Sequence, residues 1–198
     1  MMRLGIDLGG TKVEGVVLDA QNQILVKRRV ATPAGNYLQI LATLADLIWA
    51  LEQEVGARCS IGIGMPGAIS PHTGMIKNAN TEVLNGQNLP ADSRKLLGRK
   101  IFTANDANCL ALSESVDGAG RAVACVFAVI LGTGTGGGLV INNQLVVGAN
   151  AIAGEWGHNP LPWAEASDIG IACYCGKIGC VETYLCGAGL SRLHIQLG

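Results

Sequence analysis

The chain has 198 residues, of which 49% are hydrophobic and 28 are glycine, and its formal net charge at pH 7 is −1. This composition suits one large domain or two small ones with ample apolar material for a core. A near-neutral chain without a basic run gives no footprint for nucleic acid or an anionic membrane. The longest apolar run, 122–131, is about half the length of a membrane-spanning helix. We therefore expect a cytoplasmic protein without a signal peptide.

The first hundred residues contain alternating strand and helix patterns. Strands are predicted at 4–8, 13–18 and 24–30, with a glycine–threonine turn between the first two and an Asp/Asn turn before the third. Apolar residues then recur at helical spacing over 37–53. The elements that follow are a buried strand at "SIGIGM", a loop over 70–88, a helix near 91–97, a strand over 100–103 and a helix opened by "ANDAN". This order predicts an α/β fold with a mixed sheet covered by helices.

The layout of the first strands recurs later in the chain. The stretch "FAVILGTGTGGGLVINNQLVVG" at 127–148 repeats the order of 4–26, with a strand, a Gly/Thr turn, a second strand, an Asn/Gln turn and a third strand. We interpret this as an internal duplication that gives two similar lobes, residues 1–117 and residues 118–198, facing each other across a cleft. The second lobe would be short for a domain, and we expect it to be truncated.

Two glycine-rich turns directly follow strands, "DLGGTK" at 7–12 and "GTGTGGG" at 132–138. Glycines let the backbone approach an anion closely, and successive N–H groups can form an anion-binding nest. Lys12 would add a positive charge, and Asp7 could hold Mg²⁺ through water. Neither turn matches the Walker A or the Rossmann pattern. The alternative is that the glycines only form hairpin turns, but their matching positions in two lobes favour phosphate binding.

Asn105 and Asp106 lie between a predicted strand and a predicted helix. Asn and Asp often cap helices at such positions, and capping is one interpretation of this pair. The other is that Asp106 is a general base facing the cleft. Phosphoryl transfer needs positioning, charge neutralisation and one group that accepts the hydroxyl proton, and a carboxylate near two phosphate-type turns provides that group.

The cysteines form two groups. Their number, seven, is odd and argues against a disulfide framework. Four of them have apolar or small neighbours and are predicted to be buried small hydrophobes: Cys59, Cys109, Cys125 and Cys186. The other three lie within eight positions in "CYCGKIGCVET" at 173–183, which calls for another explanation.

A Cys₃His set is formed by Cys173, Cys175 and Cys180 together with His158 of the upstream "GEWGHNPLPW". Four such ligands without a water position are typical of structural Zn²⁺ sites. The alternatives are three free thiols with a surface histidine, or a redox pair, which the lack of C-x-x-C disfavours. A metal here would hold two segments together and fix the carboxylates Glu155 and Glu182 as hydrogen-bond acceptors for a polyhydroxylated substrate.

These motifs together resemble the bacterial ROK family of sugar kinases, whose fold is similar to actin, Hsp70 and hexokinase (ribonuclease H-like). The matching stretches occur in the family's order over nearly the whole chain: "DLGGTK", "GMPG", "ANDAN", "LGTGTGGG", "GEWGH" and "CYCGKIGC". The resemblance implies duplicated lobes, each a mixed sheet with helices on both faces. It also implies that family kinases continue beyond this stretch, and that the missing part completes the second lobe and much of the adenosine pocket.

The resemblance implies a role for each candidate residue. Asp106 would be the catalytic base. The sugar would be contacted by Asn105, Asp106, Glu155, His158 and Glu182. The ATP phosphates would be bound by the two turns, at Asp7, Gly9, Gly10, Thr11, Lys12, Gly132, Thr133 and Gly134. Structural zinc would be held by His158, Cys173, Cys175 and Cys180.

The implied activity is an ATP- and Mg²⁺-dependent hexose kinase. "NANTEVLNGQ" and "EWGHNPLPW" resemble most the fructokinase, or manno(fructo)kinase, branch, so fructose is the expected substrate, with mannose and glucose as further candidates. N-acetylglucosamine kinase and glucokinase of the same family are alternatives. An alternative of another class is a zinc-bound sugar-binding remnant that does not turn over. Family members are often dimers, which makes a homodimer a further expectation, whereas nucleic-acid and membrane partners are not expected.

Overall fold

The computed structural model describes residues 1–165 and 170–197. The chain divides into two compact units, Met1–Asp106 and Ala107–Gly198. The predicted domain boundary after residue 117 stays a prediction. Among the helices of the described residues, none is long and apolar enough to cross a bilayer.

Ten strands and five helices make up the described part of the chain. The strands are β1 (Arg3–Leu8), β2 (Lys12–Leu18), β3 (Ile24–Ala31), β4 (Ser60–Met65), β5 (Ala68–Ile69), β6 (Ile76–Lys77), β7 (Phe102–Asn105), β8 (Cys125–Leu131), β9 (Thr135–Ile141) and β10 (Gln144–Leu145). The helices are α1 (Tyr37–Val55), α2 (Leu89–Leu97), α3 (Asp106–Val116), α4 (Glu182–Leu185) and α5 (Gly187–Leu197). A single 3₁₀ turn lies at Glu82–Leu84.

The first unit is built on a five-stranded mixed sheet with the order β3-β2-β1-β4-β7. β1 pairs antiparallel with β2 but parallel with β4, and β4 pairs parallel with β7. The alternation along β1, β2 and β4 places every second residue in the core. The apolar stripe of α1 completes that core with seven buried residues: Ile40, Leu41, Leu44, Ala45, Leu47, Ile48 and Leu51.

The second unit begins its sheet with the same three-strand layout. β8, β9 and β10 form an antiparallel sheet with the order β10-β9-β8, as β1, β2 and β3 do in the first unit. A glycine turn joins β8 to β9, and two asparagines with positive φ, Asn142 and Asn143, join β9 to β10. Two central residues with positive φ are typical of a type I′ hairpin turn. The repeated layout supports the predicted internal duplication.

Several predicted elements differ in detail from the structure. The stretch 70–88, predicted as a loop, contains β6 and the 3₁₀ turn. The strand predicted at 100–103 runs from Phe102 to Asn105, because its pairing with β4 reaches Asn105 opposite Met65. Two of the cysteines predicted to be buried, Cys109 and Cys125, are exposed. Apolar neighbours in the sequence therefore did not predict burial. For Cys125 the reason is that every second residue of β8, Cys125 included, lies on an exposed face of the sheet.

Candidate functional site

Three parallel strands of the first unit end at the same edge of the sheet. Asp7 of β1 pairs with Gly64 of β4, which pairs with Ala104 of β7. Asp106 follows two residues after Ala104, as the first residue of α3. Because neighbouring strands lie about 4.8 Å apart, the backbones of β1 and β7 are about 10 Å apart at this level. The structure therefore brings the predicted Mg²⁺ carboxylate and the predicted base to one edge of one sheet.

The two candidates at the end of β7 differ in their surroundings. The side-chain amide of Asn105 donates a hydrogen bond to the carbonyl of Gly67 at 2.9 Å, which ties the end of β7 to the turn after β4. Asp106 is exposed at the start of α3. A carboxylate in the first turn of a helix is stabilised by the helix dipole and by the unpaired N–H groups there. An exposed carboxylate at this position can accept a proton from a bound hydroxyl.

The first glycine turn is tightly held. The N–H of Gly9 donates to the carbonyl of Lys12 at 2.9 Å, and the hydroxyl of Thr32 donates to the carbonyl of Gly9 at 2.7 Å. Gly10, Thr11 and Lys12 are exposed at the tip. Backbone N–H groups at such a tip are available to an anion.

Asp7 lies beside this turn, and its surroundings shift the pKa of its carboxyl group. Partial burial and the neighbouring charge of Glu14 raise the pKa of Asp7, although Lys12 lowers it. Glu14 is itself held ionised, because hydrogen bonds from Lys27 and Arg29 lower its pKa. A cation bound next to Asp7 would offset both unfavourable effects, so its carboxylate fits a divalent ion of the hard, oxygen-preferring class.

The second glycine turn is connected to the C-terminal segment of the second unit. The N–H of Gly132 donates to the carbonyl of Gly134 at 2.9 Å, and the N–H of Gly187 donates to the carbonyl of Gly132 at 2.8 Å. A Cβ on Gly134 would lie 2.7 Å from Oε2 of Glu182, so only glycine leaves room for that carboxylate. Thr133 is exposed at the tip.

The carboxylate of Glu182 is a central group of the second unit. It is buried, and its Oε2 accepts the backbone N–H of Thr135 at 2.8 Å. Its own N–H donates to the carbonyl of Gly157 at 2.8 Å, which places the start of α4 beside the "GEWGH" segment. Glu155 lies two residues before Gly157 and is exposed. The structure thus brings the segments of two predicted sugar contacts together within the second unit.

The four predicted metal ligands converge. Their ligand atoms, one each from His158, Cys173, Cys175 and Cys180, all lie within 4.8 Å of one another. Sγ of Cys173 is 3.5 Å from Nδ1 of His158, and Sγ of Cys175 is 3.6 Å from Sγ of Cys180. A tetrahedral Zn²⁺ with its usual bond lengths separates two sulfurs by about 3.8 Å and a sulfur from a nitrogen by about 3.5 Å. The four residues fit such an ion.

Two short pairings hold this cluster in shape. An isolated bridge pairs Pro160 with Cys180, and another pairs Ala172 with Ile178, so the loop that carries the three cysteines folds back on itself. Burial raises the pKa of the Cys180 thiol to about 12. The backbone N–H of Lys177, by contrast, lowers the pKa of the exposed Cys175 thiol. A buried thiol of this kind becomes a thiolate only with a cation beside it, which a metal would supply.

Tyr174 and Thr135 also belong to this region. The sequence analysis did not single out Tyr174, and it considered Thr135 only as a possible hydroxyl donor of the second glycine turn. The hydroxyl of Tyr174 lies 3.1 Å from Nε2 of His158, and the two rings meet edge to face with centroids 5.2 Å apart. Thr135 is buried and binds Glu182 through its backbone N–H. The position of Tyr174 between two cysteine ligands was a signal available in the sequence. The backbone contact of Thr135 leaves no such signal.

The chain is similar to known proteins over nearly its full length. The model of the ROK family matches residues 3–196. An N-acetyl-D-glucosamine kinase of Pectobacterium atrosepticum is 42% identical over 99% of this chain and 66% of its own length. An N-acetylgalactosamine kinase, AgaK, of a Shewanella species is 41% identical over 98% of this chain and 63% of its own length. The chain therefore spans slightly less than two thirds of these relatives.

Solved structures agree with the fold. A ROK family glucokinase from Streptomyces griseus, in complex with glucose and AMPPNP, superposes with a TM-score of 0.84 at 31% identity, covering 99% of this chain and 61% of that one. A ROK hexokinase from Thermus thermophilus superposes with a TM-score of 0.81 at 32% identity, covering all of this chain and 64% of that one. The predicted actin- and hexokinase-like fold is confirmed by these neighbours.

Proposed function

Because this chain belongs to the ROK family, we propose that the protein containing it transfers the γ-phosphoryl group of ATP to a hydroxyl group of a hexose. The observation that carries the proposal is the placement of Asp7 and Asp106 at one edge of the first sheet, beside the first glycine turn. Phosphoryl transfer requires little more than a proton acceptor, held phosphates and charge neutralisation. The relatives' names, all sugar kinases, support the same reaction class.

The substrate we propose is N-acetylglucosamine. The sequence analysis favoured fructose on two short stretches, but the similar proteins give fructose no support. The two relatives with about 40% identity described above are named as kinases of N-acetylated amino sugars, which makes the alternative of an N-acetylglucosamine kinase the better fit. Asn105, Asp106, Glu155, His158 and Glu182 are proposed to contact the sugar, and their carboxylate and amide groups suit a polyhydroxylated ligand.

In the proposed mechanism Asp106 accepts the proton of the attacking sugar hydroxyl. The hydroxyl oxygen forms a bond to the γ-phosphorus, the bond from that phosphorus to the bridging oxygen breaks, and ADP leaves. The N–H groups of the turns at 9–12 and 132–134 hold the phosphates, and Lys12 adds positive charge. Asp7 would hold Mg²⁺, which, when bound, neutralises charge on the phosphates. ATP as the donor is supported by the AMPPNP, an ATP analogue, in a neighbouring structure.

The four-ligand cluster is proposed to bind structural zinc. It uses four protein ligands, which is typical of a site that stabilises a loop and takes no part in the chemistry. Zinc would hold the cysteine loop against the "GEWGH" segment and so fix the surroundings of Glu155 and Glu182. The homodimer expected from the resemblance stays a prediction.

The central test is Asp106→Asn in the protein that contains this chain. Loss of a general base should lower kcat/KM by about 10²- to 10⁴-fold, with most of the loss in kcat. Asp46→Asn, which alters an exposed aspartate of α1, is the matched control and should leave kcat/KM unchanged. A fall of less than about tenfold, equivalent to about 1.4 kcal/mol, would show that Asp106 is not the base.

The substrate is tested by coupled assays over a panel of sugars. N-acetylglucosamine should give the highest kcat/KM, above N-acetylgalactosamine, glucose, mannose and fructose. A higher value for fructose would restore the substrate expected from the sequence. Sugar binding in calorimetry without any ATP consumption would instead favour the non-catalytic sugar-binding alternative.

A further inference from the structure

The stretch "NANTEVLNGQ" at 78–87 has no role in the mechanism above. It follows β6 and precedes α2, and the 3₁₀ turn Glu82–Leu84 lies within it. Two backbone hydrogen bonds close the base of this 78–87 loop. The N–H of Ile76 donates to the carbonyl of Gln87 at 2.9 Å, and the N–H of Gly86 donates to the carbonyl of Ile76 at 2.8 Å. The two ends of the loop are therefore fixed beside each other.

The side chain of Asn85 closes the loop a second time. Its Oδ1 accepts the N–H of Ala79 at 2.9 Å, and its Nδ2 donates to the carbonyl of Ala79 at 2.9 Å. One amide group thus satisfies both backbone polar groups of that residue. Ala79 and Leu84 are buried on either side of the short segment 80–83. Both ends of this segment are anchored, so the place of Thr81 within it is set by the fold of the loop.

The 78–87 loop is also connected to the edge of the sheet that carries Asp106. A Cβ on Gly67, in the turn after β4, would lie 2.5 Å from the carbonyl oxygen of Lys77 and 2.8 Å from the backbone nitrogen of Ala79. The backbone of 77–79 therefore packs directly on that turn. The carbonyl of Gly67 accepts the side-chain amide of Asn105, the residue before Asp106. The loop, the turn and the end of β7 form one connected structure within the first unit.

Thr81 of this loop reaches the first glycine turn. A Cβ on Gly10 would lie 3.2 Å from Oγ1 of Thr81. A carbon–carbon bond is about 1.5 Å long, so this hydroxyl oxygen lies within about 5 Å of Cα of Gly10. Gly10 and Thr11 are exposed at the tip of the turn, and Thr81 is half-buried. A hydroxyl from another part of the chain is therefore placed next to the N–H groups that are proposed to bind phosphate.

The hydroxyl of Thr81 can be donated to a ligand at little cost. Within the described residues its hydrogen-bond acceptor is Oδ1 of Asn80 at 3.5 Å, whereas bonds between a hydroxyl and an oxygen usually span about 2.5–3.0 Å. A hydroxyl hydrogen rotates to suit its best acceptor. A charged phosphate oxygen is a stronger acceptor than a neutral amide oxygen. A phosphate group on the turn would therefore compete successfully for this hydrogen.

We propose that Thr81 is a further phosphate ligand, whose hydroxyl donates a hydrogen bond to the terminal phosphate group of ATP on the first glycine turn. The inference rests on the proposed function, because it takes that turn to hold phosphate. The terminal phosphate is favoured because the 78–87 loop is connected to the end of β7, beside the proposed base Asp106. A donor at this place would stabilise the charge of the phosphoryl group during its transfer to the sugar.

The test is Thr81→Val, which keeps the shape of the side chain and removes the hydroxyl, in the protein that contains this chain. The value of kcat/KM for ATP should fall about 10²-fold, the lower end of the loss seen when one donor to a developing charge is removed. Calorimetry should show binding of AMPPNP weakened about tenfold, as expected for a lost hydrogen bond to a charged group. The affinity for N-acetylglucosamine and the melting temperature should not change.

Two further variants separate the hydroxyl from the packing of the loop. Thr81→Ser keeps the hydroxyl and loses only a methyl group, so its kcat/KM for ATP should stay within about threefold of the original value. Thr73→Val is the matched control, because it removes another threonine hydroxyl, which accepts the N–H of Met75 at 3.3 Å in the exposed part of the chain before β6. It should leave kcat/KM for ATP unchanged.

Three outcomes would overturn the inference. The first is a kcat/KM for ATP in Thr81→Val within about threefold of the original value. The second is an equal loss in Thr81→Ser and Thr81→Val, which would assign the effect to loop packing. The third is weaker binding of N-acetylglucosamine with unchanged binding of AMPPNP, which would place the hydroxyl on the sugar.

The inference and the proposed function fail in different ways. If the original protein phosphorylates the sugar and Thr81→Val does so equally well, only the inference is wrong. If the original protein neither binds AMPPNP nor consumes ATP with any sugar, the proposed function is wrong and the inference falls with it. A loss in Thr81→Val that Thr81→Ser does not share supports both.

Discussion

Each of the two units of this chain is stabilised in a different way. The apolar core of the first unit is one cluster that includes residues of β1, β2, β4 and α1 and extends from Leu4 to Ile101. In the described part of the second unit, the buried apolar residues are Ala107, Ala111, Val140, Cys173, Cys180, Val181 and Tyr184. Two of these seven are proposed metal ligands. A unit with few large buried side chains needs other interactions to stabilise its fold.

In the second unit the other interactions are backbone contacts, hydrogen bonds and the proposed metal cluster. Gly138 of β9 packs directly on the backbone of α3, and Glu182 accepts a hydrogen bond from Thr135, the first residue of β9. Small domains with a modest core commonly add metal ligands for stability. We therefore expect the stability of the first unit to depend on the burial of apolar side chains. The stability of the second unit should depend on the proposed zinc site and on close backbone packing. Three predictions test this difference.

The largest effect is expected from removing the metal. Chelation, or Cys180→Ser, should lower the protection of backbone amides in 173–182 by at least on the order of 10³-fold. A loss of that size corresponds to about 4 kcal/mol, and zinc can contribute about 10 kcal/mol to the folding of a small metal-binding domain. Protection of β1 and β4 in the first unit should not change. Hydrogen–deuterium exchange followed by mass spectrometry measures both. Loss of protection in both units to the same degree would contradict the expected difference between the units. Before chelation, we expect one zinc ion per chain.

The next effect concerns a partly buried ion pair of the first unit. Arg99 donates to both carboxylate oxygens of Glu52, at 2.9 and 2.7 Å, and the N–H of Cys59 donates to the same carboxylate at 2.6 Å. Burial by itself raises the pKa of Glu52, but these hydrogen bonds outweigh burial and leave it lowered. Arg99→Met should cost about 3 kcal/mol at neutral pH, because it leaves a buried carboxylate without its partner. Urea unfolding measures the loss.

The pH dependence of that loss follows from the lowered pKa of Glu52. A pKa that is lowered in the native state contributes stability at pH values above the ordinary pKa of 4.5. This contribution disappears as the pH falls through the native pKa. The difference in the free energy of unfolding between Arg99→Met and the original protein should therefore shrink below about pH 4.5. Arg28→Met is the control, because its ion pair with Glu54 is exposed and should contribute less than about 1 kcal/mol. An equal loss in both variants would refute the prediction.

The smallest effect compares one strand glycine from each unit. A Cβ on Gly138 would lie 2.6 Å from the carbonyl oxygen of Ala107 and 2.7 Å from Cβ of Ala111, whereas one on Gly62 of β4 would meet nothing within 4 Å. Gly138→Ala should therefore destabilise the protein by about 2 kcal/mol through overpacking, and Gly62→Ala should be neutral. Thermal unfolding of the two variants compares them directly. Similar melting temperatures would mean that β9 and α3 can separate without cost.

Much of this protein could be predicted from local patterns in its sequence. The apolar stripe of 37–53 predicted α1, because a period of 3.6 residues places those side chains on one helix face. The turns of glycine and asparagine predicted both three-stranded layouts. Asparagine suits such turns because it adopts positive φ more readily than most residues, as Asn22, Asn142 and Asn143 do. The ligand chemistry of three cysteines and one histidine predicted their cluster, and the structure brings all four together. Each of these conclusions needs only residue types and their spacing.

Other features were decided by tertiary packing alone. Three features depend on distances between segments far apart in the chain: the exposure of Cys109 and Cys125, the contact of Gly138 with Ala107, and the hydrogen bonds of His158 with Tyr174 and of Glu182 with Thr135. No periodicity or composition encodes such a distance, because it depends on how strands register and how loops close over them. Glu182 illustrates both parts: its sequence position beside Cys180 indicated a role, but only packing gave it the N–H of Thr135 as a partner.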